Sequence, residues 1–406
     1  MNDKDKKVPN VPNLRFKEFN EEWKETALED LTMKTYRAFA GGPFGSNLKS
    51  CDYTDKGIPI IQLGNITEDY LNFKDRLIFT SIKKADELIA SNAYSGDLII
   101  AKMMPAGRAC IASDLYPRYV LGSDGIRVCL DKEKCNIIFI RDQINSEKIK
   151  KEISSKTAGS TRQRIGIPEL KKLKLLVPCI DEQNKIGALL SLLEKRIEAQ
   201  NKIIEDLESQ ITWIKNNLYL SKTGNKYELR EVLCERKEYT TKDSSYEHVT
   251  LSKEGIIPKS ERYDRDFLVT DDEKKYKITK LNDLCYNPAN LKFGVICKNN
   301  YGDSIFSPIY ITYEINKKHD PDYVCMLLTN DNFINYIRRY EQGTVYERMA
   351  VNPTDFLKGY VYLPDIAIQK ETMKKINTVL EKINIEKSIL KKYKEQKNYL
   401  LINMFI

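Results

Sequence analysis

The chain has 406 residues, enough for two or three domains. Its 41% hydrophobic and 31% charged residues are the makeup of a water-soluble protein with ample core material. No run approaches the roughly 18 apolar residues of a membrane span, and from the polar start, Met1 to Lys7, no secretory signal is expected. Nine cysteines without a Cys-x-x-Cys pair point to reduced thiols in a cytoplasmic protein, and with only His248 and His319 as imidazoles no metal site is expected. The net charge is +8, with residues 1–180 and 365–406 basic and 221–364 balanced. That distribution gives limited support to an anionic partner.

Taken in order, residues 1–22, with Pro12, Leu14, Arg15, Phe16 and Phe19, read as an extended arm that docks on the body. Residues 23–31 lead into a first core, 41–46 form a tight turn, and 58–63, 97–101 and 125–130 read as strands. A helix is expected over 147–157 and a strand over 173–177, stopped by Pro178. Lys148, Lys150, Lys151, Lys156, Arg162, Arg164, Lys171, Lys172 and Lys174 make a basic cluster, which a solvated helix face explains equally well. Asp181 and Glu182 then open a long helix, since acidic residues suit the positive end of the helix dipole. About 40 residues at 1.5 Å each make a rod of roughly 60 Å. Its apolar positions are Ile186, Leu190, Leu193, Ile197, Ile204, Leu207, Ile211, Ile214 and Leu218, with only Gln200 polar, which is a heptad seam. A polar hinge with Gly224 leads to a second unit, with strands expected over 247–251, 283–286, 309–313 and 360–363 and one helix over 323–339.

Adding 186 to the seam gives Ile376, Val379, Ile383, Glu386, Leu390, Tyr393, Lys397, Leu400 and Met404, so the seam returns in phase with Glu386 in the slot of Gln200. Pro178 and Gln183 match Pro364 and Gln369, and Gly96-Asp97-Leu98 resembles Asn282-Asp283-Leu284, at the same offset. Gly159-Ser160 with Arg164 matches Gly343-Thr344 with Arg348 at an offset of 184, which implies a two-residue insertion near residues 352–354. The chain is therefore two copies of one plan, globular unit then long helix, with pseudo-twofold symmetry and two helices suited to pack together.

No catalytic motif emerges. Gly41 to Ser46 lacks the Gly-Lys-Ser/Thr ending of a P-loop, so the turn more simply sets backbone against a partner. Asn287-Pro288-Ala289-Asn290 lacks the second proline and aromatic of an amino-methyltransferase loop, and no Gly-rich cofactor loop accompanies it. Pro364-Asp365 opens the last helix and is no nuclease start. No cofactor is expected. The repeated loop carries more: Ser160, Thr161, Arg162, Gln163 and Arg164 in the first copy, and Thr344, Tyr346 and Arg348 in the second. Their hydroxyls, amide and guanidinium groups suit phosphates and base edges. The plainer alternative is that Gly and Arg hold the loop against the helix base.

Three features make the chain resemble the specificity (S) subunit of type I restriction–modification systems over essentially its full length. They are the arm from Val11 to Phe16 with Phe19 and Glu22-Trp23; Gly42-Pro43-Phe44-Gly45-Ser46 followed by Asp52-Tyr53 and Gly57-Ile58-Pro59; and the Gly-Ser-Thr loop, Pro178 and Asp181-Glu182-Gln183 with the long helix. The second half has no counterpart of the Gly-Pro-Phe-Gly-Ser segment. The resemblance implies an α+β protein with two mixed α/β target-recognition domains joined by two long helices in an antiparallel coiled coil. The expected divisions are the arm and first recognition domain (1–180), a first conserved spacer helix (181–220), a second recognition domain (221–364) and a second spacer helix (365–406). Expected partners are double-stranded DNA with a split site, two methyltransferase subunits and restriction motor–nuclease subunits, with no catalysis in this chain. Gly45, Ser46 and Lys49 join the residues expected to face DNA. The competing reading is a coiled-coil scaffold with two protein-binding heads, which the heptads alone allow.

Overall fold

The computed structural model describes residues 10–35, 37–68, 71–73, 77–103, 105–156, 164–241, 245–253, 255–259, 275–343 and 349–406. The chain divides into two compact units, Met1–Gln200 with Ile389–Ile406, and Asn201–Ser388. The division cuts through both long helices, α3 (Ile180–Leu220) and α6 (Ile366–Asn403).

Unit 1 begins with β1 (Lys24–Ala27), which pairs antiparallel with β8 (Lys174–Val177). Its central sheet is antiparallel in the order β2 (Phe39–Gly41), β7 (Gly125–Val128), β4 (Leu98–Ala101), β5 (Ala109–Ile111). The sequence of β4 is Leu-Ile-Ile-Ala and all four residues are buried. An unbroken apolar run is what a strand needs when both faces are covered. Leu98 and Ile100 face a core with Trp23, Phe139, Ile153, Ile186, Leu190, Met404 and Phe405, while Ile99 and Ala101 face Ile61, Tyr119 and Leu121. The second face is supplied by a five-stranded sheet in which β3 (Ile58–Ile61) and β6 (Arg118–Leu121) run parallel. Helices α1 (Ile137–Ile144) and α2 (Glu147–Lys156) cover the first.

Unit 2 repeats this order. A ribbon of β9 (Asn225–Glu228) and β14 (Tyr360–Leu363) corresponds to β1 and β8. The central sheet runs β10 (Leu233–Glu235), β13 (Ile311–Ile315), β11 (Leu284–Tyr286), β12 (Ile296–Lys298). Leu284 and Tyr286 face the main core and Cys285 the other side. Helices α4 (Pro321–Leu328) and α5 (Asp331–Ile337) stand where α1 and α2 stand in unit 1. The chain is α+β and internally duplicated.

The helix seam is visible within each unit. In unit 1, Ile186 and Leu190 from the start of α3 share a core with Leu400, Leu401 and Met404 from the end of α6. In unit 2, Leu207 and Ile211 from later in α3 share a core with Met373, Ile376 and Ile383 from the start of α6. The helices are therefore antiparallel. Ile186, Leu190, Leu193, Ile204, Leu207, Ile211, Ile376 and Ile383 are buried, and Ile197, Val379, Leu390 and Leu400 are half-buried. The polar Gln200 of the seam is buried as well.

A buried glutamine clips each helix start to its unit. Gln183 donates from its amide to Pro178 O at 3.0 Å and accepts from Asn136 N at 3.0 Å. Gln369 donates to Pro364 O at 2.7 Å and accepts from Asp320 N at 2.8 Å. Asn136 and Asp320 are the N-caps of α1 and α4. Each glutamine thus ties the strand before the long helix, the helix itself and the cap of a packed helix, with its amide fully satisfied. The arm adds a third tie in unit 1. Leu14 N donates to Asn403 O at 2.8 Å, and Arg15 forks onto the buried Glu182 carboxylate with two bonds of 2.7 Å. Lys185 pairs with Glu18.

Three expectations need correction. The single helix read over 323–339 is broken, because Thr329 ends α4 and the Asn330 side chain caps Asn332 N at 2.9 Å to start α5. The two-residue insertion is not near 352–354. Ile165 N bonds Lys102 O and Val351 N bonds Pro288 O, so the offset is already 186 at Val351 and the extra residues lie upstream of it. The strand expected over 309–313 sits two residues later, at Ile311–Ile315.

One feature distinguishes the units. In unit 1, Arg141 and Asp142 of α1 are 2% and 3% exposed, and Arg141 bonds Asp142 at 2.7 Å and also pairs with Glu194 of α3. Glu194 in turn meets Lys397 of α6 at 3.0 Å. The corresponding residues of unit 2 are Cys325, Met326, Leu380 and Ile211, all apolar. Burial pushes the Asp142 carboxyl up to about 6 although Arg141 stands beside it. Arg141→Met strands the buried Asp142 carboxylate and leaves Glu194 to Lys397 alone, and is expected to cost about 3–5 kcal/mol in unit 1, read by hydrogen exchange, with unit 2 protection unchanged. In the unfolded chain Asp142 titrates near 3.9, about the usual aspartate value. The folded state therefore holds this proton more tightly, and the carboxyl's contribution is greatest below about pH 4 and falls as pH rises towards about 6. The stability of the wild type relative to Asp142→Asn should decline across that window in urea titrations and stay flat above it.

Candidate nucleic-acid interface

Strand register brings several loops to one end of the unit 1 sheet. Gly41 lies opposite Ile126, and Gly125 opposite Ala101, so the segments after β2, after β4 and before β7 all emerge there. Ile61 lies opposite Leu121 in the parallel pair, which brings Gln62 and Leu63 to the same end. Short backbone bonds hold the segments together: Gly42 N to Gly125 O at 2.9 Å, Lys102 N to Asp124 O at 2.7 Å and Gly122 N to Ile61 O at 2.8 Å. Gly42 is pressed so closely on Gly122 that a Cβ would fall 1.7 Å from its carbonyl oxygen. Only glycine permits that approach. A cavity of about 340 Å³ lies under the turn, lined by Pro43, Gly45, Tyr53, Gln62 and Asp124 among others.

The repeated loop returns to this cluster. Arg164 makes a β-bridge with Met103, and Ile165 N donates to Lys102 O at 3.0 Å. In unit 2, Tyr286 lies opposite Ile311 and Val351 N donates to Pro288 O at 3.3 Å, so the second loop comes back at the equivalent sheet end. The turn into the central strand is also built twice. Gly96 and Asn282 have positive φ of 86° and 71°. Asp97 accepts from Tyr94 N and Asp283 from Lys280 N, each at 2.8 Å. Burial raises the Asp97 carboxyl above its usual range, against a backbone hydrogen bond and the nearby Arg127. Asp283 is clamped by Arg236 at 2.8 and 3.0 Å, and that hydrogen bonding holds the guanidinium proton more firmly than usual.

Among the sequence-derived residues, Gly45, Ser46, Lys49 and Arg164 are exposed, and Gly45 and Arg164 belong to this loop end. Lys49 stands at the start of the short turn Ser50–Asp52, where its N–H donates to Asp52 at 2.7 Å. Ser160, Thr161, Arg162, Gln163, Thr344, Tyr346 and Arg348 lie outside the described residues. The basic cluster is partly neutralised: Lys150 meets Glu68 at 2.9 Å and Glu147 at 3.5 Å, and Lys156 pairs with Glu152. Its α2 portion is thus a solvated, ion-paired face. Lys49, Lys102 and Arg164 have no ion pair among the described residues. Lys102, Gln62 and Phe44 were missed by sequence reasoning; the offset linking Lys102 to Pro288 was the available signal for the first. Among the described residues no group of three or more His, Cys, Asp or Glu could hold a metal, and no helix is long and apolar enough to cross a membrane.

Known proteins resemble this duplicated α+β chain in sequence over part of its length and in fold over most of it. Residues 20–209 match the model of the type I restriction modification DNA specificity domain. The chain is 24% identical over 193 residues to the type I restriction enzyme MjaVIII specificity subunit of Methanocaldococcus jannaschii, an alignment spanning 44% of this chain and 43% of that relative. The type I restriction–modification S subunit from M. genitalium superposes with a TM-score of 0.56 at 14% identity, covering 98% of this chain and 99% of that one. A chain from a structure of type I restriction–modification complex assembly and conformational transition gives 0.54 at 10% identity, covering 93% and 96%. The chain therefore shares its fold with solved type I restriction–modification S subunits along its length, and residues 20–209 are similar in sequence to the DNA specificity domain of those systems.

Gly42→Ala places a methyl group against Gly122 O and is expected to dislodge the 42–47 turn. Unit 1 should lose on the order of 1–3 kcal/mol in chemical denaturation, whereas Gly45→Ala, with open space around it, should leave the midpoint unchanged.

Proposed function

We propose that this chain is the DNA sequence-specificity subunit of a type I restriction–modification complex. The observation that carries the reading is the doubled hydrogen-bonded frame: each unit returns a Gly- and Arg-containing loop to the same sheet end, 186 residues apart at Ile165 and Val351. Each unit would act as a target-recognition domain and read one half of a split double-stranded site. The recognition domains would be 1–180 and 221–364, with the arm in the first, and the spacers 181–220 and 365–406. The spacer helices would set the gap between half-sites. Two methyltransferase subunits would dock on the helices and arm, and restriction subunits would join through them. The chain itself would catalyse nothing and would work in the cytoplasm.

Methylation mapping of genomic DNA from cells carrying the complete system tests the reading, which requires a bipartite motif with a fixed gap. Removing two heptads from each long helix should shorten that gap or abolish recognition; an unchanged gap would sink the spacer role. Arg164→Ala should impair the first half-site alone by roughly 1–3 kcal/mol if it touches bases. Equal weakening on every sequence makes it a phosphate contact, with a shallower salt dependence. Binding of DNA without any sequence preference would favour the scaffold reading.

A further inference from the structure

Phe44 is left without a role by the frame just described. Its ring is 83% exposed, while Pro43 beside it is buried. The turn that carries it is fixed to the sheet through Gly42 and Gly122, so the ring's exposure is imposed by an anchored loop. Lys102 and Arg164 sit in the same loop cluster without ion pairs among the described residues. Unit 2 arrives at a similar surface from different loops. Phe293 and Ile309 are 61% and 62% exposed, in the segments after β11 and before β13 that leave the equivalent sheet end. The Lys292 ammonium lies 5.1 Å from the Phe293 ring. An exposed apolar side chain on a loop end that also carries cations is complementary to a nucleic acid, whose phosphates take the charge and whose thymine methyls or base faces take the apolar group.

We propose that Phe44 is a specificity-determining finger of unit 1 that contacts bases within a DNA groove. The proposal rests on the DNA-reading function above. Its test is selection from a randomised duplex pool by the full chain assembled with methyltransferase subunits, comparing wild type with Phe44→Ala and Phe44→Leu. Phe44→Ala should lose preference on the order of tenfold at one or two adjacent positions of one half-site, and Phe44→Leu should keep most of it. Uracil in place of thymine at those positions reproduces the loss if the contact is to a methyl group. A rise in 2-aminopurine fluorescence on binding wild type, absent with Phe44→Ala, marks contact with an unstacked base face. Because the ring is exposed, Phe44→Ala should melt like wild type. A selection profile for Phe44→Ala identical to wild type overturns the finger, and loss of methyltransferase subunits with no change in profile reassigns Phe44 to a protein contact. Wild type selecting no sequence at all overturns the DNA reading itself.

Discussion

Two buried side-chain amides organise this molecule. Gln183 and Gln369 each sit one turn inside a long helix and are essentially inaccessible to solvent. A buried amide left without partners costs about 1–3 kcal/mol, so its surroundings must supply an acceptor and a donor in fixed positions. Here the acceptor is the carbonyl of the proline that ends a strand, and the donor is the N-cap of a helix packed on the sheet. Satisfying one amide therefore fixes three elements at once. Because the same solution occurs at both helix starts, the orientation of a long helix on its own unit is specified by polar geometry as well as by apolar burial, which is non-directional.

The units differ in what backs that clip. Unit 1 fills the space between α1 and the helix pair with Arg141, Asp142, Glu194 and Lys397, whereas the corresponding residues of unit 2, Cys325, Met326, Leu380 and Ile211, are apolar and the first three line an open cavity. A buried ionic cluster is no more stabilising than well-packed hydrophobic residues, but it tolerates fewer arrangements, since each displaced charge is costly. Unit 1 also carries the arm, whose Arg15 forks onto Glu182; the residue corresponding to Glu182 in unit 2 is the exposed Ile368. The first unit is thus held by directional charge contacts on two sides, and the second has none at the corresponding positions.

How much of this the sequence displayed depended on the length scale of the signal. Heptads extend over 40 residues and repeat, so the seam and its polar slot were legible. The offsets joining Gln183 to Gln369 and Asp97 to Asp283 were legible too, and the fold assigns each pair the same hydrogen bonds. The break between α4 and α5 was hidden because the apolar pattern continues through Tyr323, Leu327, Phe333 and Ile337 and only the Asn330 cap interrupts it. The insertion was misplaced because Gly, Thr and Arg anchored the alignment, whereas the backbone bond at Val351 fixes the register. Arg141 and Asp142 look like surface charge in sequence; their burial arises from Glu194 and Lys397, distant in the chain.

The loop end shows why a frame can repeat while its surface diverges. The bonds that place the loops are made by backbone groups, at Gly42, Lys102 and Gly122 in unit 1 and at Pro288 and Val351 in unit 2. Backbone bonds make little demand on side-chain identity, apart from positions such as Gly42 where no Cβ fits. Side chains at those places are consequently free to vary, and the two units have used that freedom: unit 1 extends an aromatic from the segment after β2, and unit 2 from the segment after β11. The DNA-reading function proposed for this chain needs this separation. Base discrimination lies in a few side chains, and a scaffold held by main-chain geometry lets them change without loss of the fold.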